Sequence, residues 1–180
     1  TVSVYEQPHK ANLEKIPQLR PAFAENGTIT PANSSSISDG ASALLLASEQ
    51  AVEAHGLTAR ARIVAHSRNS LAPEAFTLAP IGAAEEVLAK AGWTVADVDL
   101  WEINEAFAMV TMLTIDALKL DPTCVNVHGG ACAQGHPIGS TGSRIIVTLM
   151  HALEHYGKKR GVAALCIGGG EATAVAIELI

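Results

Sequence analysis

The chain has 180 residues, 48% hydrophobic and 17% charged, which excludes a disordered chain and leaves enough apolar mass for a packed core. A net charge of −6 argues against a nucleic-acid binder, because phosphate contacts need a basic face. No apolar run reaches membrane-spanning length, and Cys124, Cys132 and Cys166 are too few and scattered for a disulfide framework, so a reducing, cytoplasmic compartment is expected.

Residues 1–26, broken by Pro8, Pro17 and Pro21, read as an irregular lead-in. "GTIT" (27–30) predicts a short strand and "PANSSSISDG" (31–40) a loop. "ASALLLASEQAVEAHG" (41–56) predicts a helix with Ser38 or Asp39 near its N-cap and Gly56 as its stop. A strand "ARIVAH" (61–66) follows, then a helix "PIGAAEEVLAKAG" (80–92) opened by Pro80 and closed by Gly92. "TVAD" (94–97) has capping-box spacing, with Asp in place of Glu or Gln.

"VDLWEI" (98–103) predicts a strand, "EAFAMVTMLTIDALKL" (105–120) a helix and "TCVNV" (123–127) a further strand. "GSTGSRIIVTLMHALEHYG" (139–157) predicts a helix with Ile145, Ile146, Leu149, Met150 and Leu153 on one face. The chain closes with "GVAALCI", a glycine turn and "EATAVAIELI", two strands tightly joined. Strands alternating with helices define an α/β sheet covered on both faces, in one unit without repeat or linker.

Three chemically capable residues fall at equivalent places in this pattern. Asn104 follows "VDLWEI", Cys166 ends "GVAAL", and His136 sits in "GGACAQGHPIGSTG" before a helix. Open α/β sheets bind ligands beyond the carboxyl ends of their strands, so three loops are expected to converge there. Glycines 129, 130, 135, 139 and 142 permit positive φ and close approach of a substrate to His136. The dipole of the helix starting near Ser140 disfavours an imidazolium, leaving a neutral base or donor. The "GGG" after Cys166 presents amides fit for an oxyanion, beside a thiol that can serve as acid, base or nucleophile.

Each residue also has a plain structural reading. His136 can be incidental to a glycine loop, Cys166 a small buried hydrophobe, and Asn104 a helix N-cap with Glu105 as a first-turn acid. Cys124, His128, Cys132 and His136 recur every four residues, but the glycines and Pro137 prevent the helix that would align them, so no metal is expected.

"NEAFA" (104–108), "GHPIGSTG" (135–142) and "CIGGGEA" (166–172) resemble the three C-terminal signatures of the thiolases. "GTITPANSSSISDGA" (27–41) resembles a segment that in the family reads closer to GTVTAGNASGINDGA, with Pro31 and Ser36 standing for alanine and glycine. The resemblance covers essentially the whole chain. It implies a thiolase-like half, a mixed five-stranded sheet with helices on both faces. It also implies reversible acyl transfer on CoA thioesters: Claisen condensation, or thiolysis of a 3-ketoacyl-CoA, with acetoacetyl-CoA expected, and no cofactor.

By the same resemblance, His136 activates the nucleophilic cysteine and helps bind a thioester oxygen, and Asn104 holds the water completing that oxyanion hole. Cys166 moves the proton on and off the substrate α-carbon, and the Gly168 amide contributes to a second oxyanion hole. Ser35 contacts the pantetheine arm of CoA, while Phe23, Ala106 and Phe107 line its site. The family's nucleophilic cysteine belongs to an N-terminal half, and neither Cys124 nor Cys132 matches its setting. The expectation is a C-terminal domain over 27–180 after a lead-in at 1–26, with an N-terminal half as partner and a homodimer or homotetramer as the assembly. Papain-like use of Cys166, His136 and Asn104 matches the residue types but not the α/β rhythm. A ketoacyl synthase would be expected to carry a histidine in place of Asn104. A non-catalytic acyl-CoA-binding or scaffold half is the other reading.

Overall fold

Alternating apolar residues at the end of the chain build the centre of the fold. The computed structural model describes residues 3, 4, 9 and 11–180. Strand β3 (Arg160–Ile167) turns Val162 and Ala164 to one side of a sheet and Ala163 and Leu165 to the other, then doubles back as β4 (Glu171–Leu179). Strand β1 (Ala61–Ser70) pairs antiparallel with β4, and β2 (Leu100–Ile103) pairs parallel with β3, giving the order β1-β4-β3-β2.

Five α-helices accompany the sheet among the described residues: α1 (Glu49–His55), α2 (Ala79–Ala91), α3 (Ala108–Leu118), α4 (Ala131–Gln134) and α5 (Thr141–His155). Helix α2 lays Ala79, Ala83, Ala84 and Val87 against the row Ala172, Ala174 and Ala176, and small residues on both sides bring helix and sheet close. The opposite face receives Ile145, Leu149 and Leu153 of α5, which pack on Leu100, Ala163 and Ile177. Leu149 and Leu153 are wholly buried, a burial that contributes about 1.5–3 kcal/mol each. Helices therefore cover both faces, as expected.

The sheet has four strands where five were expected. "TCVNV" forms a short 3-10 turn (Pro122–Cys124) and a single bridge from Val125 to Trp101. Asn126 stops the strand there, with φ at +48°. Its side-chain amide takes the place of the next peptide: Ile103 N–H donates to Asn126 Oδ1 (2.8 Å) and Asn126 Nδ2 donates to Ile103 O (2.9 Å). "GTIT" forms no strand either, because Thr30 caps a 3-10 turn at Pro31–Asn33 through a capping box closed by Asn33.

The helix predicted from residue 41 begins at Glu49, where Ser48 Oγ accepts from Ala51 N–H. Leu45 and Leu46, 83% and 70% exposed, find no surface to cover among the described residues, and helix propensity without a buried face does not hold a helix. "TVAD" does close as a capping box, with Thr94 N–H and Oγ1 both donating to Asp97 Oδ2. Pro8, from the predicted lead-in, lies outside the described residues.

Candidate functional site

The carboxyl ends of the parallel pair β2 and β3 carry two of the three expected residues, with no hydrogen bond between their side chains among the described residues. Asn104 N–H donates to Ala164 O at 2.9 Å, so Asn104 continues the ladder one residue past β2, and Cys166 lies two residues beyond Ala164. Helix α3 begins later than predicted, with Phe107 as its N-cap, so Asn104 is not a capping residue. It is 1% exposed.

His136 reaches Asn104 from the loop before α5: His136 Nε2 stands 3.5 Å from Asn104 Nδ2. On its other edge, Nδ1 is 2.7 Å from Thr141 Oγ1, and that hydroxyl donates to Pro137 O at 3.0 Å. With its proton engaged, Thr141 Oγ1 accepts from His136 Nδ1–H, and the network assigns the lone pair to Nε2. Burial, and after it the Arg144 guanidinium, hold the imidazole below its ordinary pKa. Both effects favour the uncharged imidazole, whose Nε2 faces the carboxamide.

The glycines around His136 serve the expected purpose only in part. Of the five, only Gly129 and Gly135 have positive φ. A Cβ on Gly135, at φ +91°, would collide with Ser38 Oγ, and one on Gly130 would collide with the Glu105 carboxylate. These two admit close neighbours from the chain itself. Gly139 and Gly142 do face open space. Glu105 is a hub of this loop, not a first-turn acid of α3: its carboxylate accepts from Cys132 N–H (3.0 Å) and from Asn126 Nδ2 (3.1 Å). Burial and the neighbouring Glu105 raise the Cys132 thiol to about 11. His128 meanwhile stacks on Tyr156. Among the described residues, no group of three or more His, Cys, Asp or Glu side chains could hold a metal ion.

Cys166 is 8% exposed, and burial raises its thiol above the ordinary value. Gly168 lies exposed in the β3–β4 turn, with open space where a Cβ would stand. The four residues expected to contact a CoA-like group form a single patch. Ser35 N–H and Oγ both donate to Ala106 O (3.2 and 3.1 Å), and Phe107 packs edge-on between Phe23 (5.8 Å) and Phe76 (6.2 Å). Phe23 is 74% exposed. The same loop joins this patch to the histidine, since His136 N–H donates to Ser36 O at 2.8 Å.

Sequence reasoning passed over Thr141, Arg144 and Glu102. Thr141 sits four residues before Ile145 on the buried stripe of α5, and Glu102 shares the Leu100 side of β2. A polar residue on an otherwise apolar face was the available signal.

The fold and these groups define an α/β protein whose polar residues gather at the carboxyl edge of a parallel strand pair, around a neutral histidine and a buried carboxamide. A family model described as "Thiolase, C-terminal domain" matches residues 57–179, and one described as "Thiolase, N-terminal domain" matches residues 1–50. The chain belongs to the thiolase family. It is 49% identical to a probable acetyl-CoA acetyltransferase of Dictyostelium discoideum, over 96% of this chain and 42% of that protein. Identity to the cytosolic acetyl-CoA acetyltransferase of Mus musculus is 48%, over 94% and 43%. The chain therefore spans under half the length of these curated relatives. Among solved structures, the Bacillus anthracis acetyl-CoA acetyltransferase superposes with a TM-score of 0.91 at 41% identity, over 95% of this chain and 43% of that one. Human mitochondrial 3-ketoacyl-CoA thiolase in complex with CoA does so at 0.87 and 40%, over 95% and 43%. No helix of the described residues is long and apolar enough to cross a membrane.

Proposed function

We propose that this chain carries the acid–base and oxyanion groups of a thiolase that transfers acyl groups between CoA thioesters, with acetoacetyl-CoA as its substrate. The contact between Asn104 Nδ2 and the unprotonated Nε2 of His136 carries this reading. His136 Nε2 takes the proton of a nucleophilic thiol and then, as N–H, faces the thioester oxygen. Asn104 supplies a second donor on that side, through a bound water. Cys166 moves the α-carbon proton, and its raised pKa makes the thiolate a strong base once formed. The Gly168 amide contributes to a second oxyanion hole. Charge develops on oxygen in both half-reactions, so these preorganised donors supply much of the rate. The reaction moves only protons and acyl groups, so it needs no metal or redox cofactor.

Ser35 contacts the pantetheine arm of CoA, and Phe23, Ala106 and Phe107 line the CoA site. Their meeting in one patch beside the His136 loop supports that assignment. The nucleophilic cysteine comes from an N-terminal half, in a cytoplasmic homo-oligomer. Leu45, Leu46 and Ile63 are exposed around an apolar cleft of about 750 Å³, a surface suited to such a partner.

Thiolysis of acetoacetyl-CoA by the complete protein, followed by loss of substrate, tests this reading. His136→Ala and Cys166→Ala should each lower kcat by about 10²-fold or more. A complete protein that binds CoA without turning over acetoacetyl-CoA is a scaffold, and the reading fails.

A further inference from the structure

Two ionisable side chains behind the site, the buried Glu102 and the half-buried Arg144, have no part in the reaction as described. Glu102 lies on the side of β2 that faces α5, and Arg144 stands in the first turn of that helix. Glu102 is 2% exposed. Its Oε1, and Arg144 Nε and Nη1, are buried without a hydrogen-bond partner among the described residues. Such orphaned groups cost stability, so their persistence points to use.

The remaining nitrogen, Arg144 Nη2, donates to Asn104 Oδ1 at 3.4 Å. From there the hydrogen bonds run in one direction. Asn104 Nδ2 donates to His136 Nε2, His136 Nδ1–H to Thr141 Oγ1, and Thr141 Oγ1–H to Pro137 O. Both ends are chemically one-way, since a guanidinium can only donate and a carbonyl can only accept. The polarity of each bond between them follows.

We propose that Arg144 is a positioning residue for this site: its guanidinium locks the Asn104 amide with Nδ2 toward His136 and so holds the histidine in the tautomer whose Nε2 is basic. This inference rests on the reading of His136 and Asn104 given above. The cation also polarises the amide it touches, strengthening Nδ2–H as a donor where an oxyanion develops. Glu102 limits the cost of burying that cation without cancelling it. Burial pushes Glu102 up to about 8, so much of it is neutral near pH 7. The titratable and charged groups around the site are Arg144 on α5, Glu102 on β2, Glu105 in the next loop and Cys166 at the end of β3. Of these, Arg144 is the one that acts on His136. The 34–38 loop brings only serine hydroxyls, one isoleucine and backbone.

The test uses the complete, active protein. Because Arg144→Met alone leaves Glu102 without the one cation that opposes its raised pKa, the informative variant is Arg144→Met with Glu102→Gln, in which neither position can hold a buried charge. The expected result is a kcat about 10- to 100-fold lower with KM for acetoacetyl-CoA changed less than about threefold. The acidic limb of the kcat profile should move to higher pH, as the imidazole returns toward its ordinary value. Arg144→Lys, which restores a donor and a cation, should recover part of the loss. A folded double variant with wild-type kcat and an unmoved acidic limb overturns the proposal. His136→Ala and Asn104→Ala in the same assay separate the two ideas. If they are inactive while the double variant is normal, only the positioning role fails; if they are active, the underlying reading fails.

Discussion

His136 Nδ1 lies 2.7 Å from Thr141 Oγ1, five residues along and at the first residue of α5. The helix start thus holds the Nδ1 edge of the imidazole by a side chain, and the basic nitrogen faces Asn104. Thr141 is wholly buried, so valine fits its space. Thr141→Val should lower kcat by about 10- to 100-fold and cost about 1–3 kcal/mol of stability, because Nδ1–H loses its acceptor. Thr141→Ser should keep most of the activity. Full turnover in the valine variant refutes the tautomer assignment.

Glu102 is raised from 4.5 to about 8, first by burial and then by the nearby Glu105, with Arg144 opposing. A carboxyl raised in the folded state binds more protons folded than unfolded. Its contribution to stability is full below about 4.5 and disappears as pH climbs through about 8. Glu102→Gln should remove that slope and be more stable than wild type in alkali, by a difference on the order of a few kcal/mol. Thermal unfolding across the pH range measures it, and parallel wild-type and variant curves would contradict it.

Asn126 combines a positive φ of 48° with three side-chain hydrogen bonds to Ile103 and Glu105. Asn126→Ala should destabilise the protein by about 2–4 kcal/mol, from lost bonds and backbone strain together. Asn126→Gly relieves the strain alone and should fall between alanine and wild type. Denaturant midpoints give the order, and alanine equal to glycine would remove the strain component.

Gly135→Ala sets a methyl group on Ser38 Oγ at a φ of +91°. The variant should lose at least about 1–3 kcal/mol and much of its turnover, since His136 is the next residue. Pairing it with Ser38→Gly clears the collision but not the dihedral, so recovery should be partial. Complete rescue would assign the whole effect to the contact.

Local pattern predicted α2, α5, β3 and β4 closely, because each has a continuous buried face and its periodicity shows in the residues themselves. The failures at Ala41–Ser48, "GTIT" and "TCVNV" share one cause. Short apolar or β-branched runs have no conformation until a partner surface or a side-chain bond selects one. Thr30 and Asn126 make that selection through their own polar groups.

The motifs singled out His136, Asn104 and Cys166, and the strand–helix rhythm put two of them at the ends of strands. The sequence by itself determined those residues and the two-faced α/β sheet, since both depend on spacing along the chain. Tertiary structure alone decided where the histidine keeps its proton and which glycines admit a neighbour. Asn104 meets His136 from 32 residues away and Arg144 from 40, and hydrogen-bond direction exists only once these side chains meet.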